Sequence, residues 1–221
     1  MMDSFKGIEE PVQAQIVEKK SKFICCLYYV ETEEQALEYV QQLRKKYYDA
    51  RHHCFAFSIG LSEYPIERFN DDKEPSGTAG KPILEVIKGA GLRNVLAVVI
   101  RYFGGVLLGT GGLIKAYTEA VKEAIANAEI YESRLCEELN ISVDYSNLPK
   151  IQHLLGSYNE KIYQTEYLEK VSILLYITYN NANLIKNEIL QLLNGDIYYP
   201  KKKLVFVANT KNKIIVNKIE E

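Results

Sequence analysis

The feature that most constrains this 221-residue chain is a strongly apolar segment that runs into a cluster of glycines. The segment NVLAVVIRYF, residues 94–103, has the length and the branched side chains of a buried strand. It is followed by GGVLLGTGGLIKAYTEAV, residues 104–121, in which five glycines lead into a helix with an apolar face. Glycine loses more backbone entropy on folding than any other residue, so this cluster indicates a tight turn or a closely approached ligand.

A second glycine-rich loop lies earlier in the chain. The stretch NDDKEPSGTAGKP, residues 70–82, also places small residues before an apolar helix, GKPILEVIKGAG. The start of a helix presents N–H groups without intrahelical partners, and glycine lets that backbone approach a ligand. Both loops therefore predict anion sites, although the glycines would equally serve a turn or close packing. Neither loop has the spacing of a Walker A motif or of a dinucleotide-binding fingerprint.

The candidate anion-binding residues come from these two loops and from the residues beside them. They are Gly77, Thr78, Gly80, Arg101, Gly104, Gly105, Gly109, Thr110, Gly111, Gly112 and Lys115. In this hypothesis the glycines give backbone N–H groups to phosphate, and Arg101 and Lys115 add positive charge. Thr110 is placed to cap the second helix or to bind an oxyanion. Supporting candidates are His52, Asp71, Asp72, Glu74 and Ser76.

The carboxylates of the first loop leave two further hypotheses open. Asp71, Asp72 and Glu74 would bind a divalent cation in a metal-dependent enzyme that acts on a small phosphorylated substrate. They would also repel RNA phosphate, and no spacing in the chain matches a zinc site. The other hypothesis is a protein-interaction module with purely structural glycines, for which an Asp72–Arg101 ion pair would be the signature. No residue is assigned a catalytic role, and no cofactor beyond such a cation is expected.

Composition and charge narrow the class of protein. The chain has 27 Lys and Arg against 29 Asp and Glu, a formal net charge of −2, so no global charge attracts nucleic acid or acidic lipid. No apolar run reaches the roughly 18 residues of a membrane-spanning helix, and no secretory signal is visible. We therefore expect a cytoplasmic protein with no membrane partner and with reduced cysteines.

The predicted elements divide the chain into two α+β domains, residues 1–133 and 134–221. In the first, a hairpin near residues 12–30 precedes a helix opened by Thr32, and two more helices follow the glycine-rich loops. In the second, strand, helix, two strands, helix and strand follow one another in the order βαββαβ. That order predicts a ferredoxin-like domain.

Four segments of the chain resemble the IMPACT family, also called the YigZ or UPF0029 family. They follow one another in the family's order and spacing: KSKFI at 20–24, DARHHCFAF at 49–57, DDKEPSGTAGKPIL at 71–84 and RYFGGVLLGTGGLIKAY at 101–117. The whole chain is similar to the bacterial two-domain members. One position departs from the pattern, because the family usually has glycine where this chain has Lys73. If that glycine serves a positive φ, the lysine is strained there.

This resemblance implies a fold and a class of partner. The first domain would resemble the second domain of ribosomal protein S5, and the second would resemble domain V of elongation factor G. Proteins with these folds contact RNA or the ribosome, and eukaryotic members of the family regulate translation. We therefore expect a non-enzymatic protein that binds nucleic acid, either RNA or the ribosome, and takes part in translation regulation. A translation factor is a further candidate partner.

Overall fold

The computed structural model describes residues 2–195, 197, 202–211 and 213–219. The chain forms two compact units, Met1–Glu132 and Ser133–Glu221, which divide one residue before the predicted boundary. Both units combine helices with a sheet, in agreement with the expected mixed class of α and β structure. Within the described part of the chain, no helix is long and apolar enough to cross a membrane.

The first unit is built on a five-stranded sheet with the strand order β2-β3-β6-β4-β5. Its elements are, in chain order, β1 (Ser4–Ile8), β2 (Val12–Glu18), β3 (Ser21–Tyr29), α1 (Glu33–Lys46), β4 (His52–Ile59), β5 (Ile66–Asn70), α2 (Gly80–Gly89), β6 (Val95–Tyr102) and α3 (Gly109–Ala126). The predicted apolar strand is β6, and it lies at the centre of the sheet with both faces covered.

Helices cover both faces of this sheet. On one face, α2 and α3 bury Ile83, Tyr117 and Val121 against the strands. On the other face, α1 buries Val40 and Leu43. The predicted start of α1 is confirmed, because the Thr32 hydroxyl accepts a hydrogen bond from the backbone N–H of the third helical residue.

The two glycine-rich loops lie at the same edge of the sheet. Strands β5 and β6 both pair antiparallel with β4, so they run parallel to each other. Helix α2 therefore starts at the edge where β5 ends, and α3 starts at the edge where β6 ends. Backbone bonds from Lys6 N to Gly91 O and from Glu9 N to Glu129 O bring the far ends of both helices to the first strand. We infer that α2 and α3 run side by side in the same direction.

The second unit follows the predicted element order and adds one strand. Its elements are β7 (Ile130–Val143), which begins within the first unit, α4 (Leu148–Ser157), β8 (Ile162–Tyr167), β9 (Val171–Thr178), α5 (Tyr179–Leu192), β10 (Lys203–Asn209) and β11 (Ile214–Lys218). The strand order is β11-β10-β7-β9-β8. Alternate residues of β9, such as Ile173 and Leu175, are buried with Ile151 and Ile185 of the two helices.

Candidate functional site

The first glycine-rich loop closes around a carboxylate of its own chain. Asp71 Oδ1 accepts hydrogen bonds from Ala79 N at 3.0 Å and from Gly80 N at 2.7 Å, and Oδ2 accepts one from Gly77 N at 2.9 Å. Gly80 permits this closure, because a Cβ there would lie 2.8 Å from the backbone of Asn70. Asp71 thus caps the start of α2 from outside the helix.

These contacts correct the expectation that the first loop is open to an external anion. The N–H groups of Gly77 and Gly80 already bind Asp71. Thr78 is buried, and its hydroxyl donates to the carbonyl oxygen of Pro75 at 2.7 Å. Ser76 is exposed on the outside of the loop.

Asp72 fastens the same loop to β4 and α1. Its Oδ2 accepts a hydrogen bond from His53 N at 2.7 Å, and its Oδ1 accepts one from Arg44 Nη2 at 3.1 Å. The ring of His52 donates from Nδ1 to the carbonyl oxygen of Asp72 at 2.9 Å. The predicted Asp72–Arg101 pair is wrong, because Asp72 is held by Arg44 while Arg101 binds another carboxylate.

Arg101 forms a buried ion pair with Glu74 that joins the two loops. The Arg101 Nη1 to Glu74 Oε1 distance is 2.6 Å, and the Tyr117 hydroxyl donates to the same oxygen at 2.9 Å. The guanidinium carbon lies 5.5 Å from the ring centre of Phe23 and 5.7 Å from that of Phe103. Arg101 is therefore buried and stabilises the fold, which corrects its expected role as an anion ligand.

Two buried groups next to this pair are held in their neutral forms. Cys54 Sγ lies 3.0 Å from the carbonyl oxygen of Asp71 and 3.3 Å from the Tyr117 hydroxyl oxygen. Burial raises the pKa of both the Cys54 thiol and the Tyr117 hydroxyl well above their ordinary values. Cys54 is therefore a structural thiol at neutral pH, and not a thiolate nucleophile.

Histidines 52 and 53 lie on opposite faces of β4, as alternation predicts. His52 is partly exposed, and its Nε2 lies 3.9 Å from Glu74 Oε1. His53 is buried beside Asp72, with its Nδ1 3.8 Å from Asp72 Oδ2. Burial lowers the pKa of His53, and the neighbouring Asp72 only partly opposes that shift.

The three carboxylates do not form a cation site. Asp71 binds backbone N–H groups, Asp72 binds Arg44, and Glu74 binds Arg101 and a tyrosine hydroxyl. No group of three or more His, Cys, Asp and Glu side chains that could hold a metal ion occurs among the described residues. The arrangement gives no support to the divalent-cation hypothesis.

The second glycine-rich loop is closely packed at its base. A Cβ at Gly104 would lie 2.0 Å from the carbonyl carbon of Lys20, and Gly104 N donates to Ser21 Oγ at 3.1 Å. Gly105 and Gly109 have φ values of +83° and +69°, a region in which other residues are strained. These glycines bring the loop against the β2–β3 turn.

Helix α3 then begins without a cap. The sequence suggested that Thr110, Gly111 and Gly112 belong to the loop. The first residue of the helix is Gly109, however, so these three residues lie in its first turn. The N-cap residue is Leu108, which corrects the expectation that Thr110 caps the helix. No side chain in the described ranges accepts a hydrogen bond from this start, and its first turn contains no acidic residue. Gly109, Thr110 and Gly111 are exposed, and their N–H groups have no acceptor among the described residues.

Exposed lysines and apolar side chains occur in the segments that pack around the second loop and in α3 itself. Lys20 contacts Gly104 through its backbone, Lys73 precedes the Glu74 that reaches α3, and Lys115 is in the second turn of the helix. Between them, the loop exposes 44% of Phe103 and 83% of Leu107. Backbone N–H groups, cations and an aromatic ring are thus available at one edge of the unit.

Sequence reasoning missed Tyr117, Arg44 and Phe103 as parts of this region. Tyr117 lies among the apolar residues of its helix, but a buried tyrosine hydroxyl needs a polar partner, and that requirement points to Glu74 or another acceptor. The fourth family-like segment also contains both Arg101 and Tyr117. No local sequence pattern predicts the contact between Arg44 and Asp72, because α1 and the loop are far apart in the sequence and come together only in the folded unit.

The family model of the Impact N-terminal domain matches residues 19–125, and that of a domain of unknown function, DUF1949, matches residues 141–196. The IMPACT family member YvyE of Bacillus subtilis is 37% identical over 214 residues, which are 97% of this chain and 98% of that protein. The chain belongs to the IMPACT family. The IMPACT family member YigZ of Escherichia coli is 39% identical over 167 residues, 75% of this chain and 82% of its own.

Among solved structures, one described as a hypothetical protein covers 90% of this IMPACT-family chain. It is aligned over 97% of its own chain, with 34% identity and a TM-score of 0.59. A structure described as the two-domain translational regulator Yih1 covers 55% of this chain, but its TM-score of 0.34 is too low to indicate a shared fold. The family resemblance found in the sequence is confirmed, and Lys73 stands within the matched region.

Proposed function

We propose that this IMPACT-family chain is a non-enzymatic RNA-binding protein with a role in translation regulation, and that the start of α3 binds RNA phosphate. One observation carries the proposal. The start of α3 is exposed, rich in glycine and uncapped, whereas the start of α2 at the same edge is filled by Asp71. A free helix start with unobstructed N–H groups is an anion-binding arrangement.

The electrostatics of the edge support the same reading. The acidic loop would repel phosphate if its carboxylates were free, but Asp71, Asp72 and Glu74 are each bound by donors of the protein. Lys73 and Lys115 are exposed, and neither has an ion-pair partner within the part of the chain that the structure describes. The net charge of the side chains around the start of α3 is therefore positive, which favours the binding of phosphate.

The exposed ring of Phe103 favours single-stranded RNA over a small phosphorylated molecule. Bases that are not paired stack on aromatic side chains, while cations beside the ring bind the backbone. Arg101 contacts the ring from the protein side and Gly104 anchors the chain that follows it. Phe103 is thus held in place with nearly half of its surface available to a base.

The role in translation rests on the family and on the proposed folds of the two units. We assign the first unit to the fold of ribosomal protein S5 domain 2 and the second to the ferredoxin-like fold of elongation factor G domain V. The βαββαβ order from β7 to β10 supports the second assignment. RNA of the ribosome is then the expected partner, in the cytoplasm, and a translation factor is a further expectation.

The test is the salt dependence of RNA binding. A labelled single-stranded RNA of mixed sequence is titrated with the chain, and the anisotropy of the label is measured. The titration is repeated at salt concentrations from about 50 to about 200 mM, over which counterion release changes the affinity measurably. The double variant Lys20→Ala/Lys115→Ala removes two cations from the proposed site. The slope of log affinity against log salt should become shallower by about 1.4, or 0.7 per phosphate contact for single strands.

Lys45→Ala is the matched control, because Lys45 is an exposed lysine of α1 on the opposite face of the sheet. Its slope should equal that of the unaltered chain. Phe103→Ala should weaken binding about tenfold at every salt concentration if one base stacks on the ring. An affinity that is independent of salt, or an equal loss in the Lys45→Ala chain, would contradict the proposal.

A further inference from the structure

His52 presents a ring nitrogen at the edge of the sheet where both glycine-rich loops lie. It is the first residue of β4 and pairs with Arg101 of β6, which pairs in turn with Phe23 of β3. Side chains of directly paired residues lie on the same face of a sheet, so the His52 ring lies on the face that α2 and α3 cover. The His52 side chain is 17% exposed, and it therefore reaches solvent at this edge.

The protein fixes the orientation of this ring. Nδ1 lies 2.9 Å from the carbonyl oxygen of Asp72, and because a carbonyl oxygen only accepts hydrogen bonds, Nδ1 carries the proton. In the neutral ring Nε2 is then an acceptor. Glu74 Oε1 is 3.9 Å from Nε2, too far for a hydrogen bond, and it already binds Arg101 and Tyr117. Among the residues that the structure describes, Nε2 has no hydrogen-bond partner, so an oriented acceptor remains available to a ligand.

This nitrogen and the exposed ring of Phe103 lie around the same guanidinium group. The guanidinium carbon of Arg101 is 5.7 Å from the centre of the Phe103 ring. Arg101 Nη1 also binds Glu74 Oε1 at 2.6 Å, and His52 Nε2 lies close to that oxygen. The stacking surface and the free acceptor are therefore separated by little more than one side chain, which is the scale of a single nucleotide.

The peptide group that holds His52 also leads into Lys73. The carbonyl group of Asp72, which accepts the hydrogen bond from the ring, is joined to the backbone nitrogen of Lys73, and the Lys73 side chain is exposed. A cation thus follows directly after the group that orients the imidazole. A phosphate next to a sugar bound at His52 would meet this cation, so a sugar contact is compatible with the phosphate contacts of the proposed site.

We propose, on the basis of the RNA-binding function proposed above, that His52 Nε2 accepts a hydrogen bond from a ribose 2′-hydroxyl and makes the site selective for RNA over DNA. The 2′-hydroxyl distinguishes the two nucleic acids, and it can donate to a neutral imidazole. The start of α3 and the lysines bind phosphate, and Phe103 stacks on bases, but DNA offers both of these groups as well. Of these contacts, the one at His52 reads the sugar.

The test compares two labelled single strands of the same base sequence, one of RNA and one of DNA with uracil in place of thymine. Their affinities for the intact chain are measured by anisotropy at about pH 8, where an ordinary histidine ring is neutral. The unaltered chain should bind the RNA about fivefold more tightly than the DNA, which is the ratio expected of one hydrogen bond between neutral groups.

His52→Asn removes the free nitrogen and keeps the anchor of the side chain. Asparagine ends in an amide NH₂ near the position of Nδ1, so it still donates to the carbonyl oxygen of Asp72, but it has no atom at the position of Nε2. The RNA affinity of this variant should fall about fivefold, to that of DNA, while its DNA affinity stays unchanged. His153→Asn, at an exposed histidine of α4 in the second unit, is the matched control and should keep the full preference for RNA.

Three outcomes would overturn the inference. They are equal affinities for RNA and DNA in the unaltered chain, a preference for RNA that persists in His52→Asn, and an equal loss of RNA and DNA binding in that variant. The last would show that His52 supports the loop and does not contact the sugar. A chain that binds both strands equally, with a salt slope that Lys20→Ala/Lys115→Ala reduces, would keep the phosphate site and lose the sugar contact. A chain that binds neither strand would contradict both proposals.

Discussion

Helix α2 begins over a carboxylate of its own chain, whereas α3 begins in solvent. In the first case, three N–H groups bind Asp71, and Thr78 and Glu74 turn inward. In the second, Gly109, Thr110 and Gly111 are exposed, and Leu108 at the N-cap offers no acceptor. The same glycine-rich composition therefore serves closure in one loop and access in the other, and only the open loop is suited to a ligand.

The closed loop also supports the open one. Glu74 leaves the first loop, binds Arg101 at the end of β6 and accepts the hydroxyl of Tyr117 from α3. The end of β6 and the body of α3 are thus fixed on both sides of the second loop. A rigid frame around an exposed glycine-rich turn is the arrangement expected of a binding loop.

The largest expected effect comes from breaking the joint between the loops. Arg101→Ala leaves Glu74 as a buried, unpaired carboxylate, and it should lower the free energy of unfolding by about 3–5 kcal/mol. Urea denaturation of the variant measures the loss. Arg68→Ala, which removes an exposed pair with Glu33 at 3.9 Å, is the control and should have a much smaller effect. Equal losses would mean that the buried pair does not join the loops.

The second prediction compares the two helix starts directly. Asp71→Ala leaves three N–H groups without a hydrogen-bond acceptor and should lower the free energy of unfolding by about 3 kcal/mol. Thr110→Ala, at the uncapped start of α3, should change stability by less than about 0.5 kcal/mol, because its side chain makes no capping bond. Both values come from urea denaturation. A loss at Thr110 as large as that at Asp71 would break the distinction between a closed and an open loop.

The third prediction concerns the position where this chain departs from its family. The resemblance to the family implies a strained lysine here if the usual glycine serves a positive φ. Lys73 does have a positive φ, of 72°. Lys73→Gly should stabilise the chain by about 0.5–1 kcal/mol, since relief of the left-handed conformation exceeds the entropy cost of glycine. The midpoint of urea unfolding reports this change. The same variant should bind RNA more weakly, and a destabilised variant would show that the lysine side chain contributes packing there.

The smallest expected effect is a loss of stability in acid at the closed loop. Burial lowers the pKa of His53, so the folded chain favours the neutral ring. Its contribution is complete above the ordinary histidine pKa of about 6.5, and it is lost as the pH falls from there toward the lowered folded value. The melting temperature of the unaltered chain should therefore fall more between pH 7.5 and 5.5 than that of His53→Gln. Parallel falls would assign the acid sensitivity to other groups.

The sequence predicted the elements better than it predicted the partners within them. The apolar β6, the Thr32 cap and both helices after the glycine-rich loops follow from local periodicity and capping chemistry. Local patterns do not determine which carboxylate pairs with Arg101, because Asp72 and Glu74 lie two residues apart in one loop. The positive φ values of Asp72 and Lys73 turn the chain so that Glu74 points inward.

The features of the candidate site divide in the same way. The glycine clusters before the two helices left close packing open as an alternative to anion binding, and Gly80 and Gly104 are closely packed against backbone. Whether a helix start is filled depends on a single carboxylate placed by the loop conformation, and composition does not encode that placement. An apolar groove between α2 and α3, lined by Val86 and Ile114 among others, also has no signature in the sequence, since it arises from two helices that lie together only in the folded unit.

The most direct test of the account follows backbone amides by NMR during titration with a short single-stranded RNA. The open start of α3 should respond, with chemical shifts that change at Gly109, Thr110 and Gly111. The amides of Gly77 and Gly80, which bind Asp71, should stay in place. Shifts confined to the first loop, or a titration that leaves the amides of α3 unchanged, would contradict the claim that the uncapped helix start binds phosphate.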